Sequence, residues 1–347
     1  MAGKFLHQHR KGLGLDAIGV FAQRAEALGY DGYFCRRCHT RRFVVVLPAL
    51  AATARIIVAT SVLVAFPRSP MNVALAAWDL QRLSQGRFEL GLGTQIRQNI
   101  EDRYSARWLP PVAGMREYLG ALRAIFHSFR TGEPLRFEGE YFRFTRLQPF
   151  FNPGAIAAPN PPLMIGAVGA NMLALSGHCA DGLHTHPTSG ARRYLQEMVL
   201  PNVARGATER VTDLPKPRLC INALVATGEN ETAVEKARAQ FRQTLAFLFS
   251  TPAYWINLEL HGWQDVGLQL QQLARAQRWD EMATVFNDEL LDTFLVSGTY
   301  NTLPQNLIAR FGDLADRVAV PPPITTDHDD AFAAMLLELR RLALQKI

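Results

Sequence analysis

Between residues 56 and 94 the hydrophobic pattern switches from continuous to helical and back. Residues 56–64 are near-continuously apolar, which predicts a parallel strand buried on both faces. Ser69 then offers a cap and Pro70 a first helical position, where a missing N–H costs nothing. Val73, Ala76, Ala77, Leu80 and Leu83 fall on one face of the helix that follows, and Gly86 stands where a left-handed C-terminal cap belongs. Residues 88–94 predict the next strand, running into a glycine-rich turn that lets a ligand approach the backbone.

The same alternation recurs along the chain. A weak strand at 4–6 precedes a helix capped by Asp16 and ended by Gly29, and a second strand begins at Asp31. A helix is predicted over 112–129, then strands at 163–167, 180–187, 218–226 and 316–320, with helices over 231–249, 303–311 and 329–344. Two stretches interrupt the alternation: 134–144, which alternates around Glu138-Gly139 as a hairpin does, and 250–295, rich in aromatics. Eight strands with helices between them predict a (β/α)8 TIM-like barrel over residues 1–347 as one domain, with insertions at about 131–160 and 250–295. A doubly wound open sheet is the alternative.

Composition narrows the function classes. With 48% hydrophobic and 20% charged residues, the 347-residue chain can bury a large core. A formal charge of +6 suits an anionic ligand, but Lys and Arg are scattered, which argues against nucleic acid. The first ten residues lack a signal-peptide core, and the apolar region 43–66 is broken by Pro48 and Arg55. That region reads as two buried strands with a helix between them rather than a membrane span, so a cytoplasmic protein is expected. Cys35-Arg36-Arg37-Cys38-His39 has the spacing of a c-type haem site, yet no export signal accompanies it. Cys179 and Cys220 stand too far apart to supply a second zinc-ligand pair, so incidental cysteines are the preferred reading.

In a barrel the chemistry lies at the C-terminal ends of the strands. That selects Ser61 and Val62, the segment from Gly91 through Gly93 and Thr94, the turn at Gly169, Ala170 and Asn171, and His184 with His186. A glycine opening a helix exposes N–H groups to an anion, although an ordinary tight turn has the same spacing. Gly91-Leu92-Gly93 lacks the third glycine of a dinucleotide fingerprint. The two histidines have period two and share a strand face, which leaves a metal pair, acid–base work or polar lining open. No carboxylates stand near enough in sequence to complete a metal site, so none is assigned. A hydrogen-bond donor or proton source is preferred, with His186 first because Pro187 holds it extended at the strand end.

The motifs Ala65-Phe66-Pro67-Arg68-Ser69-Pro70-Met71, Ala77-Trp78-Asp79-Leu80-Gln81, Ser84-Gln85-Gly86-Arg87-Phe88 and Leu90-Gly91-Leu92-Gly93-Thr94-Gln95 resemble the luciferase-like monooxygenase superfamily. Ala25-Glu26-Ala27-Leu28-Gly29-Tyr30-Asp31-Gly32, Ala180-Asp181-Gly182 and Leu260-His261-Gly262-Trp263 extend the likeness over most of the chain. The branch most resembled depends on the deazaflavin coenzyme F420. The resemblance implies an oxidoreductase acting on a small organic substrate, with the ring at the strand ends and a homodimeric assembly. It implies Ser61 and Val62 behind the ring, at a bulge where relatives often have a non-prolyl cis peptide, and Gly169 and Ala170 at the coenzyme phosphate. An FMN-dependent monooxygenase and a non-catalytic flavin-binding barrel are the alternatives. Where relatives carry an acidic or polar run ending in Asp-Pro-Phe, this chain has Cys35 through Phe43 with four arginines. Such a block suits an acidic substrate or a coenzyme tail, and equally a damaged stretch.

Overall fold

A computed structural model describes residues 4–8, 15, 17–35, 42–211 and 214–345. Among the described residues one nine-stranded sheet holds the short strand Leu63–Val64 and a ring of eight parallel strands: Lys4–Gln8, Gly32–Cys35, Ile57–Thr60, Phe88–Gly93, Leu163–Ala167, Gly182–Thr185, Arg218–Ile221 and Arg317–Ala319. Each pairs with the next, and the eighth pairs with the first through Phe5 opposite Val318. The ring is therefore closed, which excludes the doubly wound alternative. Outward positions such as Val58, Phe88, Leu90 and Ile165 meet the surrounding helices, while Phe34, Ala59, Met164, Cys220 and Ala319 fill the interior.

The local signals that build this frame are visible at the helix ends. Ser69 Oγ accepts from the Met71 N–H at 3.2 Å, Pro70 opens the helix Pro70–Leu83, and Gly86 takes φ +99°. The hairpin pairs Phe137–Glu138 with Arg143–Phe144. It is fastened to the helix Pro111–Thr131 by the Glu117 carboxylate, which accepts from the amides of Glu140, Tyr141 and Phe142.

Two expectations are corrected. Residues 43–66 hold the helix Arg42–Ala52 followed by the strands Ile57–Thr60 and Leu63–Val64, rather than two strands with a helix between them. Val45, Val46, Ala49 and Leu50 are buried at helical spacing, and that periodicity prevails despite Pro48 inside the helix. The run 218–226 is likewise two strands. Arg218–Ile221 belongs to the barrel, whereas Leu224–Gly228 leaves it to pair in parallel with Leu295–Thr299. Asn222 makes the break: its N–H donates to Thr185 Oγ1 at 3.1 Å and its Nδ2 to Thr185 O at 2.7 Å. The run reads as one element because both short strands are buried.

The outlying pair of strands anchors the second insertion. Helices Gln264–Arg275, Trp279–Val285 and Asp288–Phe294 pack with Glu231–Phe249 around Phe249, Phe286 and Phe294. This module projects Tyr254, from the short turn Pro252–Tyr254, toward the C-terminal end of the barrel.

The opposite end of the barrel is plugged by charge. Glu89 Oε1 accepts from Arg218 Nη1 at 2.6 Å, and Oε2 from Arg317 Nη1 at 2.7 Å. Glu89 and Arg317 are both nearly inaccessible. Burial pushes the Glu89 carboxyl up, but the charges of Arg317 and Arg218 outweigh it and hold the group below the usual carboxylate range.

Candidate active site

At the C-terminal end, the third strand does not simply stop. The Ser61–Val62 peptide is cis, and Leu63–Val64 then resumes pairing with Leu92 and Gly93. Thr60 Oγ1 accepts from the Gly91 N–H at 2.9 Å and donates to Gly91 O at 2.8 Å, clamping the bulge to the fourth strand. Val62 consequently lies over two glycines. A Cβ on Gly93 would approach Val62 Cγ2 to 2.5 Å, and one on Gly166 would approach Cγ1 to 3.2 Å. Gly91 is excluded from bearing a side chain by Thr60 O at 2.0 Å. These glycines are needed for packing inside the protein, and they give the mouth a flat wall with Val62 on it. Thr94 is half-buried at the rim above them.

His184 lies below the mouth. Its side chain is 2% exposed and its ring meets Phe34 edge-on, with centroids 4.7 Å apart at 88°. His186, beyond the strand end, caps the turn Pro187–Ser189: Nδ1 accepts from the Thr188 N–H at 3.3 Å and lies 2.8 Å from Thr188 Oγ1. An amide N–H can only donate, so the neutral imidazole carries its proton on Nε2. The ring stacks on Tyr254 at 4.2 Å and 11°. Burial pushes the Tyr254 phenol up, so it remains protonated near neutrality.

Gly169 is the N-cap of the helix Ala170–Cys179 in extended conformation, with no side chain capping the first turn. Its carbonyl accepts from Met172 and Leu173, and a Cβ placed on it would meet nothing within 4 Å. Open space thus faces the first turn of the helix. Asn171, by contrast, faces a cleft on the outer flank of the barrel rather than the mouth.

Two mouth residues escape a sequence reading. Asn222 is 3% exposed; its Nδ2 is held by Thr185 O, which turns Oδ1 away, and that oxygen is buried without a hydrogen-bond partner. The signal was present, since Asn222 is the polar interruption of an apolar run and sits two residues after inward-facing Cys220. Tyr254 carried no such signal, because only the tertiary placement of the insertion brings it to His186. The Cys35 and Arg42 side chains, and the intervening residues including Cys38 and His39, lie outside the described residues. Burial pushes the thiols of Cys179 to about 11 and Cys220 to about 12, so neither is a thiolate near neutrality. Among the described residues, no helix is long and apolar enough to cross a membrane.

Comparison with known proteins places this geometry. An uncharacterized protein of Mycobacterium tuberculosis is 37% identical over 91% of this chain and 92% of its own length. A putative coenzyme F420-dependent oxidoreductase of the same organism is 27% identical over 72% of this chain and 74% of its own. Among solved structures, the coenzyme F420-dependent tetrahydromethanopterin reductase of Methanopyrus kandleri superposes with a TM-score of 0.77 at 18% identity, covering 96% of this chain and 97% of the reductase. A type II Baeyer-Villiger monooxygenase of Pseudomonas putida, in complex with FMN, superposes at 0.63 and 15% identity, covering 97% and 95%. Both shared folds are this barrel. The family model described as luciferase-like monooxygenase matches residues 2–317, and the chain belongs to that family.

Proposed function

We propose that the protein is an oxidoreductase that binds the deazaflavin coenzyme F420 at the C-terminal mouth of the barrel and acts on a small organic substrate. The observation that carries the reading is the likeness to a putative F420-dependent oxidoreductase along nearly three quarters of the chain. The residues present fit such a group. Val62 over Gly93 and Gly166 offers a flat apolar face for a ring, and the uncapped turn at Gly169 and Ala170 offers amides and open space to a phosphate. Ser61, Gly91 and Thr94 complete that wall in this reading, and Asn171 contributes its backbone amide.

When bound, the deazaflavin supplies hydride transfer at its ring carbon C5. The chain does the rest. His186, held through Nδ1 by Thr188 and stacked on Tyr254, is the side chain that this reading sets beside a substrate oxygen or ring carbonyl as a hydrogen-bond donor. His184 supports the floor from below. Asn222, tied to Thr185 by two hydrogen bonds, fixes the end of the seventh strand beneath the ligand. Tyr254 packs one face of His186 and excludes water from it.

An FMN-dependent monooxygenase is the second reading, favoured by the FMN-bound structural neighbour. Fluorescence titration with F420 and, separately, with FMN decides between them. Micromolar binding of F420 and none of FMN is expected; the reverse order overturns the assignment, and failure of both favours a non-catalytic barrel. The same reading includes a homodimer in the cytoplasm, and sedimentation equilibrium at micromolar protein checks the dimer.

A further inference from the structure

The mouth leaves a cationic cleft elsewhere on the molecule without a role. Along the outer face of the helix Ala170–Cys179 lies a cleft of about 580 Å³. Arg116, His178 and Arg205 line it against a single carboxylate, Glu209. Asn171, in the first turn of the same helix, lines it too, so the cleft begins where the Gly169 turn ends.

Its wall is rigid for a reason in the sequence. The helices Ala170–Cys179 and Leu200–Ala207 cross backbone to backbone at two glycines. A Cβ on Gly177 would stand 2.0 Å from Val203 O, and one on Gly206 would stand 1.8 Å from Ala174 O. The crossing carries Arg205 to the upper end of the cleft, where Nη2 donates to Ala170 O at 3.3 Å and to Asn202 Oδ1 at 3.0 Å. Arg116 is exposed on the neighbouring helix Pro111–Thr131 and has no ion-pair partner among the described residues. His178 Nδ1 is buried without a hydrogen-bond partner. Arg116 and Arg205 thus line the cleft with only Glu209 to oppose their charge.

We propose that this cleft holds an extended polyanionic chain, acidic groups on a flexible backbone, continuing from a phosphate at the Gly169 turn. The inference rests on the coenzyme reading and deepens it: the acidic tail of the deazaflavin coenzyme runs down the flank of the barrel rather than out into solvent. Asn171 is the hinge of that path, its amide in the first turn of the helix and its side chain in the cleft.

The test uses the whole protein and two probes, F420 with a tail of several glutamates and the tail-less deazaflavin 5′-phosphate. The parent is expected to bind the long form about fivefold more tightly at low salt, as two partly screened charge contacts allow. Arg116→Gln/Arg205→Gln should abolish that advantage without changing affinity for the short form, and raised salt should do the same to the parent. Arg205 also braces a helix, so Arg116→Gln alone, at an exposed site, serves as a second variant expected to lose about half of the advantage in logarithmic terms. Equal binding of the two forms by the parent, or equal weakening of both in the variants, overturns the cleft and leaves the coenzyme reading standing. Failure of the parent to bind either form overturns both.

Discussion

The two ends of this barrel treat buried polarity in opposite ways. At the N-terminal end Glu89 is fully matched, one oxygen to Arg218 and the other to Arg317. At the C-terminal end Asn222 keeps a buried oxygen without a partner, and the helix after the fifth strand begins without a side-chain cap. A buried polar atom left unmatched costs about 1–3 kcal/mol, so its presence needs a compensating reason. Barrels of this class place chemistry at the C-terminal ends of their strands and stability at the other. The same eight strands therefore carry a closed electrostatic plug below and, above, a polar atom and a helix start left unmatched.

The sharpest way to break the comparison is at the plug. Glu89→Gln leaves the buried Arg317 and the partly exposed Arg218 facing a neutral amide, and removing one partner of a buried pair such as Glu89–Arg317 typically costs about 3–5 kcal/mol. Urea denaturation of the variant is expected to show a loss in that range, with coenzyme affinity of the folded protein unchanged. The pH dependence has a definite sign. Because the folded carboxyl sits below its ordinary value of 4.5, the parent's advantage over Glu89→Gln is complete above that pH and shrinks as pH falls through the folded value. A variant as stable as the parent at neutral pH would show that the plug is not a stability element.

At the mouth the expected effect is on chemistry instead. His186→Ala removes the Nε2–H donor and should lower turnover about 10²-fold at saturating coenzyme, the range for one preorganised donor. His186→Gln retains an N–H and should lose less. Turnover is measured with the best substrate from a screen of alcohols and carbonyl compounds. If both variants stay within about threefold of the parent, His186 merely caps the turn to Thr188 and stacks on Tyr254.

What could be read from the sequence divides along the same line. The wall from the third to the fourth strand was legible because its signals are local: a capping Ser69, a Pro70 and a Gly86 with positive φ. The helix at 42–52 was misread because Pro48 obscured a helical spacing of Val45, Val46, Ala49 and Leu50. The boundary inside 218–226 depends on Thr185, some 37 residues away, and no local pattern announces it. Gly91 and Gly93 were visible as glycines, but their cause, Thr60 and Val62 across the strand, is tertiary. The pairing of His186 with Tyr254 joins a barrel strand to an insertion and could not be inferred from either alone.

A smaller effect is expected at the phosphate turn. Gly169→Val adds a side chain to open space in an extended backbone, so folding should be preserved with no shift in thermal midpoint. The added methyl groups would stand between an anion and the amides of the first helical turn, and coenzyme affinity should fall about tenfold. Unchanged affinity in a folded variant puts the phosphate elsewhere.

The smallest effect distinguishes two homes for the coenzyme's acidic tail. Arg36, Arg37, Arg41 and Arg42 form a basic block after the second strand, outside the described side chains, while Arg116 and Arg205 line the flank cleft. Replacing all four arginines of the block by Gln removes long-range attraction, and affinity for the long-tailed coenzyme should fall about two- to threefold at low salt, an effect lost once the screening length drops to roughly 8 Å at about 0.15 M salt. Short-range contacts in the cleft are screened less at intermediate salt than distant charges are. The block variant should therefore converge with the parent by about 0.15 M, while Arg116→Gln/Arg205→Gln still lags behind. Reversal of that order, with the block variant persisting and the cleft variant converging first, assigns the tail to the arginines after the second strand.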